Sequence, residues 1–209
     1  MKKGIITMTL GGLLLLGALG LTLYNRWDES RAETVSAEAA AQVQAQIPEP
    51  EEPEIPTLTP ETPDWILNPF MEMPVKELDG LEYVALLDIP SMGKSLPVLS
   101  EWSYPGLKQA PCRYTGSAYD ENLTIVAHNY QSHFGGLPSL NLGDPVNVTD
   151  MDGNVFSYEV AEMNTIQPTA IEEVTDSDYP LVLCTCTYGG KSRFVVYCDA
   201  VQPADNLFA

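Results

Sequence analysis

The hydrophobic pattern of the chain divides it into three segments, and the first is a long uncharged run. Residues 4–24 (GIITMTLGGLLLLGALGLTLY) contain only apolar or small polar side chains. Twenty-one helical residues at about 1.5 Å each cross a hydrocarbon layer of about 30 Å. The pattern therefore predicts a transmembrane helix, and we assign residues 1–27 to an N-terminal anchor. A cleaved signal peptide is the alternative, with a weak cleavage site at Ala18 and Gly20.

The charges on either side of this run predict its orientation. Lys2 and Lys3 precede it, whereas Asp28 and Glu29 follow Arg26. Basic residues are retained on the cytoplasmic side of a membrane. We therefore expect a single-pass protein of the cell membrane, with a short cytoplasmic N-terminus and an extracellular domain.

The second segment, residues 28–63, is rich in alanine and glutamate and then in proline. Six prolines occur between Pro48 and Pro63, within IPEPEEPEIPTLTPETP. Proline lacks an amide donor and favours extended backbone in the residue before it, and the acidic side chains repel one another. We therefore predict a disordered but stiff extracellular stalk over residues 28–63.

The third segment, residues 64–209, contains short hydrophobic runs separated by turn residues, as in β-strands. Residues 155–160 (VFSYEV) alternate with period two and follow a turn at Asp152–Gly153. The other predicted strands are residues 81–89, 123–127, 146–148, 181–186 and 193–198. Short helical turns are expected only within residues 102–108 and 171–174. So many short strands predict a mainly β domain, either a barrel or a sandwich.

The charge and cysteine content narrow the possible functions. The net charge is −19, with 29 acidic against 10 basic residues, so no nucleic-acid partner is expected. The four cysteines form no CxxC pair and do not suggest a disulfide framework. Cys184 and Cys186 are two residues apart in a predicted strand and should face the same side.

Three residues could together carry out acyl transfer. Cys186 ends a predicted strand before a Gly189-Gly190 turn, Arg193 begins the next strand, and His128 follows the 123–127 strand. A thiol becomes a nucleophile when a histidine takes its proton, and a guanidinium can hold the substrate carbonyl or its oxyanion. The other histidine, His133, is expected to be a loop residue that faces solvent. Cys112, Cys184 and Cys198 are expected to be packed hydrophobic residues.

Short motifs surround these three residues in chain order. Ala127-His128-Asn129 lies in the loop, residues 182–186 read VLCTC, and Arg193 lies in SRFVV. This ordered set resembles the sortase family, which has Gly-His or Gly-His-Asn, Thr-Leu-x-Thr-Cys and an arginine at these points. Val182 replaces the first threonine of the cysteine motif. The resemblance covers about residues 80–200.

The resemblance implies a closed eight-stranded sortase-type β-barrel and a cysteine transpeptidase. Cys186 would attack the Thr-Gly amide of a sorting signal of the Leu-Pro-x-Thr-Gly kind, and His128 would act as general acid and then general base. Arg193 would bind the substrate backbone or steady the oxyanion. The 165–180 segment is short, which argues against members with a long helical insertion there, although the His-Asn loop resembles those members. We therefore expect a class B- or D-like member without choosing between these classes.

The resemblance also implies partners and further contacts. The partners would be sorting-signal-bearing surface proteins of a Gram-positive cell wall, with an amine of a lipid-linked peptidoglycan precursor or a pilin as acceptor. No cofactor and no metal is expected. We also assign Asn129, Thr185 and Val182 to substrate binding, although Asn129 could equally form the turn or orient His128.

Three other functions are compatible with the sequence. A hydrolytic cysteine peptidase would use the same side chains with water as acceptor. A metal-binding surface module would use His128, His133, Cys184 and Cys186, although their spacing is not a standard zinc pattern. A non-catalytic adhesive barrel would use none of them.

Overall fold

A computed structural model describes residues 2–48, 64–68 and 70–201. Its helices are α1 (Lys2–Gln46), α2 (Asp64–Leu67), α3 (Tyr104–Leu107) and α4 (Glu172–Thr175). Its strands are β1 (Lys76–Leu78), β2 (Leu81–Ile89), β3 (Lys94–Leu99), β4 (Cys112–Thr115), β5 (Leu123–Ala127), β6 (Pro145–Asp150), β7 (Val155–Ile166), β8 (Leu181–Cys186) and β9 (Arg193–Ala200). Two 3₁₀ turns cover Pro90–Met92 and Leu137–Ser139.

Eight of the strands form a closed barrel. The order is β2-β3-β4-β5-β8-β9-β7-β6, and β6 pairs with β2 to close the ring. The β3–β4 and β5–β8 pairs are parallel, and the others are antiparallel. The short β1 extends the sheet from β2 outside the ring. The predicted eight-stranded barrel with short helices is therefore confirmed.

All six predicted strands and both predicted helical turns are present. The sequence patterns missed the three-residue β1 outside the ring and two barrel strands: β3, which contains Pro97, and β4, which has only four residues and no clear alternation. A proline removes a backbone donor, so a hydrophobic run that contains one is a weak strand signal. Both strands form because their neighbours in the barrel pair with them.

The core occupies the barrel interior and two patches on its outer surface. Interior side chains alternate along the strands, for example Leu181 and Leu183 of β8 and Ile125 of β5. Val182 and Cys184 point to the other side of β8, where they pack with Val195 and Tyr197 of β9 under α4. Because β8 is buried on both faces, it is a rigid base for the residue that ends it.

The helix α1 continues well beyond the apolar run. The prediction of an extended stalk from residue 28 is wrong for residues 28–46, which are helical. One face of this part carries Ala32, Ser36 and Val43, and Ile47 follows directly after the helix. All four are buried, at intervals of four, seven and four residues, which a helix places on one side. Alanine favours helix, and the buried face gives the helix a surface on which to pack. Residues 49–63, the rest of the predicted stalk, lie outside the described residues.

The N-terminal part of α1 could cross a membrane. An 18-residue window in this helix has a mean hydropathy of 1.5, and none of the window is buried against the barrel. Tyr24 and Trp27 follow the apolar run, are largely exposed and lie 6.1 Å apart between ring centroids. Such aromatic side chains are enriched where a helix leaves the hydrocarbon layer. The length and composition of α1 fit a single-pass anchor.

The β6–β7 hairpin is held by one buried carboxylate. Asp150 accepts hydrogen bonds from the Tyr119 hydroxyl at 2.6 Å, from the backbone nitrogens of Asp152 and Asn154 at 2.9 Å, and from the Asn154 amide at 2.8 Å. The predicted turn needs Gly153, whose φ of 90° is unfavourable for other residues. These bonds fix the point at which the barrel closes between β6 and β2.

Candidate active site

The barrel brings the ends of three strands together. In the parallel β5–β8 pair Ala127 lies opposite Thr185, so His128 begins its loop beside Cys186. In the antiparallel β8–β9 pair Cys186 lies directly opposite Arg193. Side chains at directly opposed positions lie on the same face of a sheet. The predicted His128, Cys186 and Arg193 therefore meet at one edge of the barrel, although they are far apart in sequence.

All three residues line one cavity of about 340 Å³ on the outer face of the barrel. Its floor is formed by β5, β8 and β9, and its walls by the segments around α3 and α4. The other lining residues are Trp102, Tyr104, Leu107, Tyr114, Val126, Ala127, Ile166, Gln167, Pro168, Ala170, Ile171, Val174, Cys184 and Thr185. The lining is mostly apolar, with a few polar groups among it, as in many ligand-binding cavities.

Cys186 is the accessible thiol of the four. It is half-buried, whereas the other three cysteines are buried, and all four are free. Burial raises the pKa of Cys112 and of Cys184 to about 11 and that of Cys198 to about 12. For Cys184 the Arg193 charge opposes the rise. Buried thiols with raised pKa values are poor nucleophiles, which leaves Cys186 as the candidate.

His128 favours its neutral form because its pKa is lowered from the usual value. Partial burial is the main cause that lowers its pKa, the charge of Lys108 lowers it further, and the charge of Asp28 opposes both. A neutral imidazole can accept a proton from a thiol or an amine. The Tyr130 ring packs beside the imidazole, with 4.9 Å between the ring centroids.

Arg193 is held by the loop between β8 and β9. Its Nη1 donates to the carbonyl oxygens of Gly190 at 3.3 Å and Ser192 at 3.2 Å. The loop is closed by a bond of 2.9 Å between the Thr187 and Ser192 hydroxyls, and it turns through Gly190 at a φ of 70°. Since a guanidinium has five N–H donors, the same side chain can also bind a carbonyl oxygen or an oxyanion.

The three further residues assigned to substrate binding differ in their positions. The prediction for Val182 is wrong: it is 1% exposed, packs under α4 and does not line the cavity. Thr185 lines the cavity, but its side chain is buried and its hydroxyl donates to the Ala127 carbonyl at 2.9 Å. That bond ties β8 to β5 one residue before Cys186 and His128. Thr185 thus fixes the spacing of the site.

Asn129 lies at a second cavity, of about 250 Å³, on the other side of Cys186. This cavity is also lined by Thr185 and Cys186, and by Tyr188, which is 98% exposed in the β8–β9 loop. The thiol is therefore bordered by two separate cavities. Asn129 and Cys186 both line the second of them.

The exposure of His133 is the opposite of the one that its sequence position predicts. It is fully buried instead of facing solvent, and its ring packs 5.5 Å from that of Tyr130. Burial lowers its pKa to about 4, with a smaller contribution from the charge of His128. Among residues 2–48, 64–68 and 70–201, no group of three or more His, Cys, Asp or Glu side chains could hold a metal ion.

Aromatic side chains that no sequence motif indicated form the rim of the first cavity. Trp102 lies 5.6 Å from Tyr104 and 5.7 Å from Tyr114 between ring centroids. Tyr114 belongs to the missed strand β4, and the other two lie at the start of α3. The spacing of Trp102 and Tyr104 in sequence gave a faint signal, but only the pairing of β4 with β5 brings Tyr114 beside them.

A closed eight-stranded barrel with a cysteine, a histidine and an arginine at one cavity has the side chains that cysteine acyl transfer requires. The family model described as the Sortase domain matches residues 87–201, more than half of the chain. The chain therefore belongs to the sortase family, whose members are cysteine transpeptidases. A comparison with curated proteins found no match.

Solved sortases have the same fold. A sortase D5 transpeptidase of Clostridium perfringens is 18% identical with a TM-score of 0.57, and the match covers 81% of this chain and 99% of that one. Sortase A from Corynebacterium diphtheriae is 21% identical with a TM-score of 0.51, covering 84% and 86%. Sortase C1 from Streptococcus suis is 21% identical with a TM-score of 0.51, covering 60% and 76%. At these identities the matches show the fold and do not assign a class.

Proposed function

We propose that this sortase cleaves a sorting signal of the Leu-Pro-x-Thr-Gly kind through Cys186 and joins the acyl product to an amine. The observation that carries the proposal is the meeting of Cys186, His128 and Arg193 at one mostly apolar cavity. Each supplies a different requirement of acyl transfer: a nucleophile, a proton carrier and a cation for the carbonyl oxygen.

In the first half of the reaction, the Cys186 sulfur attacks the threonine carbonyl carbon as its thiol proton passes to His128. Arg193 stabilises the negative charge that develops on the carbonyl oxygen. The bond between the carbonyl carbon and the glycine nitrogen then breaks, and His128 gives its proton to the leaving amine. The product is a thioester on Cys186 and a free peptide that begins with glycine.

In the second half, an acceptor amine attacks the thioester carbonyl and loses a proton to His128. The carbon–sulfur bond breaks, the Cys186 sulfur regains a proton, and a new amide is released. The acceptor is an amine of a lipid-linked peptidoglycan precursor or a pilin lysine. The second cavity, which contains Asn129, borders the thiol and offers room for an acceptor that approaches from the side opposite the sorting signal.

The location follows from the anchor. With α1 in the membrane and Lys2 and Lys3 on the cytoplasmic side, the barrel lies outside the cell, where exported surface proteins pass. Its partners are then surface proteins that carry a sorting signal. Accessibility of the barrel to protease added to intact cells tests this orientation.

A transpeptidation assay tests the chemistry. The full chain in detergent is mixed with a library of labelled sorting-signal peptides and a set of amines, and products are identified by mass. We expect a peptide–amine product and a thioester of the acyl fragment on Cys186. Cys186→Ala should abolish both, whereas Cys112→Ala and Cys198→Ala should retain substantial activity.

The products also separate transfer from hydrolysis. A peptide acid formed at the same rate with or without amine would identify a hydrolytic cysteine peptidase and overturn the transpeptidase proposal. Wild-type turnover by Cys186→Ala would show that the nucleophile is assigned wrongly.

A further inference from the structure

The helix α1 contacts the His128 loop just beyond the apolar run. The Asp28 carboxylate accepts a hydrogen bond from the Tyr130 hydroxyl at 2.7 Å. The next residue, Glu29, accepts one from the backbone nitrogen of Gln131 at 2.8 Å. Both bonds join residues 102 apart in the sequence. The anchor helix is therefore bonded to the loop that carries the candidate general base.

Tyr130 connects this contact to His128. Its ring lies 4.9 Å from the imidazole between centroids, at an interplanar angle of 42°. The loop is compact, since the backbone nitrogen of Phe134 donates to the His128 carbonyl at 3.2 Å and that of Gly135 to the Tyr130 carbonyl at 2.8 Å. A Cβ at Gly135 would lie 2.8 Å from the Tyr130 carbonyl oxygen, so only glycine fits there. A shift of Tyr130 would therefore be transmitted to His128.

The Asp28–Tyr130 bond persists at neutral pH. The Tyr130 hydrogen bond lowers the pKa of Asp28, so the carboxylate stays ionised. Burial, together with the Asp28 bond, raises the pKa of Tyr130 to about 12, so the hydroxyl keeps its proton. A charged acceptor makes such a bond stronger than a neutral one.

We propose that Asp28 and Tyr130 are positioning residues for His128. Through the bond between them, the anchor helix fixes the imidazole in the position that proton transfer requires. The inference rests on the proposed function, in which His128 carries the proton. Asp28 lies four residues after Tyr24, about 6 Å along the helix axis from the end of the apolar run. The position of the general base His128 then depends on where α1 leaves the membrane as well as on the barrel.

Asp28 also acts on His128 through its charge. The titratable and charged groups around the imidazole are Asp28 and its ion-pair partner Arg31 on α1, with 3.2 Å between Nη2 and Oδ1, Lys108 after α3, Tyr130 and His133 in its own loop, Cys186 on β8 and Arg193 on β9. The Asp28 charge raises the His128 pKa against the effects of burial and Lys108. Neutralising Asp28 should therefore lower the pKa of His128 further.

The first experiment measures that pKa directly. The full chain, with labelled histidine and in detergent micelles, is titrated by NMR; it has two histidines, and His133→Gln assigns their signals. We expect Asp28→Asn to lower the His128 pKa and Glu33→Gln, an exposed neutralisation on the same helix, to leave it unchanged. Equal His128 pKa values in Asp28→Asn and wild type would overturn the electrostatic part of the inference.

The second experiment tests positioning. Tyr130→Phe keeps the ring and removes only the hydroxyl, so it should lower kcat about fivefold to tenfold, as a loss of about 1–1.4 kcal/mol of positioning would. Because substrate binding is not altered, KM for the peptide should not change. Asp28→Ala should lower kcat at least as much, since it also removes the carboxylate charge, and the double variant should be no worse than Asp28→Ala because both substitutions break the same bond.

The outcomes separate this inference from the proposed function. Unchanged kcat in Tyr130→Phe, or effects that multiply in the double variant, would overturn positioning through the Asp28–Tyr130 bond. Glu33→Gln should retain wild-type kcat. If no peptide and amine react at all, the proposed function fails, and a change of the His128 signal in Tyr130→Phe still decides whether Asp28 and Tyr130 orient the ring.

Discussion

Replacing Val43 with alanine should destabilise the chain, because α1 packs on the barrel through this side chain. Val43 is fully buried in an outer cluster with Tyr83, Leu86, Leu99 and Met151. An extended stalk over residues 28–46 would leave Val43 in solvent, and the substitution would then have almost no effect. The substitution therefore tests the largest difference between the sequence prediction and the structure.

The expected magnitude follows from burial. The substitution removes two buried methyl groups, and each contributes about 0.8 kcal/mol of hydrophobic free energy. The cavity left behind raises the cost to about 2–3 kcal/mol. Alanine has a higher helix propensity than valine, which offsets about 0.5 kcal/mol. The net loss of unfolding free energy is about 2 kcal/mol, which corresponds to a fall in Tm of about 4–8 °C for a chain of this size.

The assay is unfolding of the full chain in detergent, followed by circular dichroism and tryptophan fluorescence. Val35→Ala is the matched control, since Val35 lies on the same helix, is partly exposed and belongs to no buried cluster. It should keep the wild-type midpoint or raise it slightly. If Val43→Ala and Val35→Ala unfold at the same midpoint, the packing of α1 on the barrel is refuted.

Three further predictions concern buried groups. Because the pKa of His133 in the folded state is about 4, below the usual 6.5, its contribution to stability is present above pH 6.5 and is lost between pH 6.5 and 4. The unfolding free energy should fall by roughly 3 kcal/mol over that range. His133→Gln should remove most of this pH dependence. Asp150→Ala should cost roughly 3–5 kcal/mol in urea unfolding because it leaves the Tyr119 hydroxyl and three N–H donors without their acceptor, while the exposed Asp152→Ala in the same turn should cost little. Iodoacetamide should label one thiol of the native chain, Cys186, and four after denaturation; rapid labelling of a second native thiol would contradict the burial of the others.

The sequence predicted the strands whose pattern is local. Residues 155–160 alternate and residues 181–186 form a continuous hydrophobic run, so each is recognisable without its partners. It also predicted His128, Cys186 and Arg193 as candidates, because each lies at a strand end in an ordered set of motifs. Strand periodicity and turn residues act over a few neighbours, which is why a single sequence contains enough information for them.

Only the tertiary structure decided how these elements meet. Val182 and His133 are buried because β8 is covered on its outer face and because the His128 loop folds tightly on itself, and neither effect has a local sequence signal. Residues 28–46 are helical because their buried face packs on β2 and β3, so their conformation depends on a surface formed about forty or more residues later. The Asp28–Tyr130 bond joins residues 102 apart for the same reason. The sequence thus determined the apolar N-terminal helix, most strands and the candidate reactive side chains, whereas long-range packing decided which side chains reach the cavity and what holds them in place.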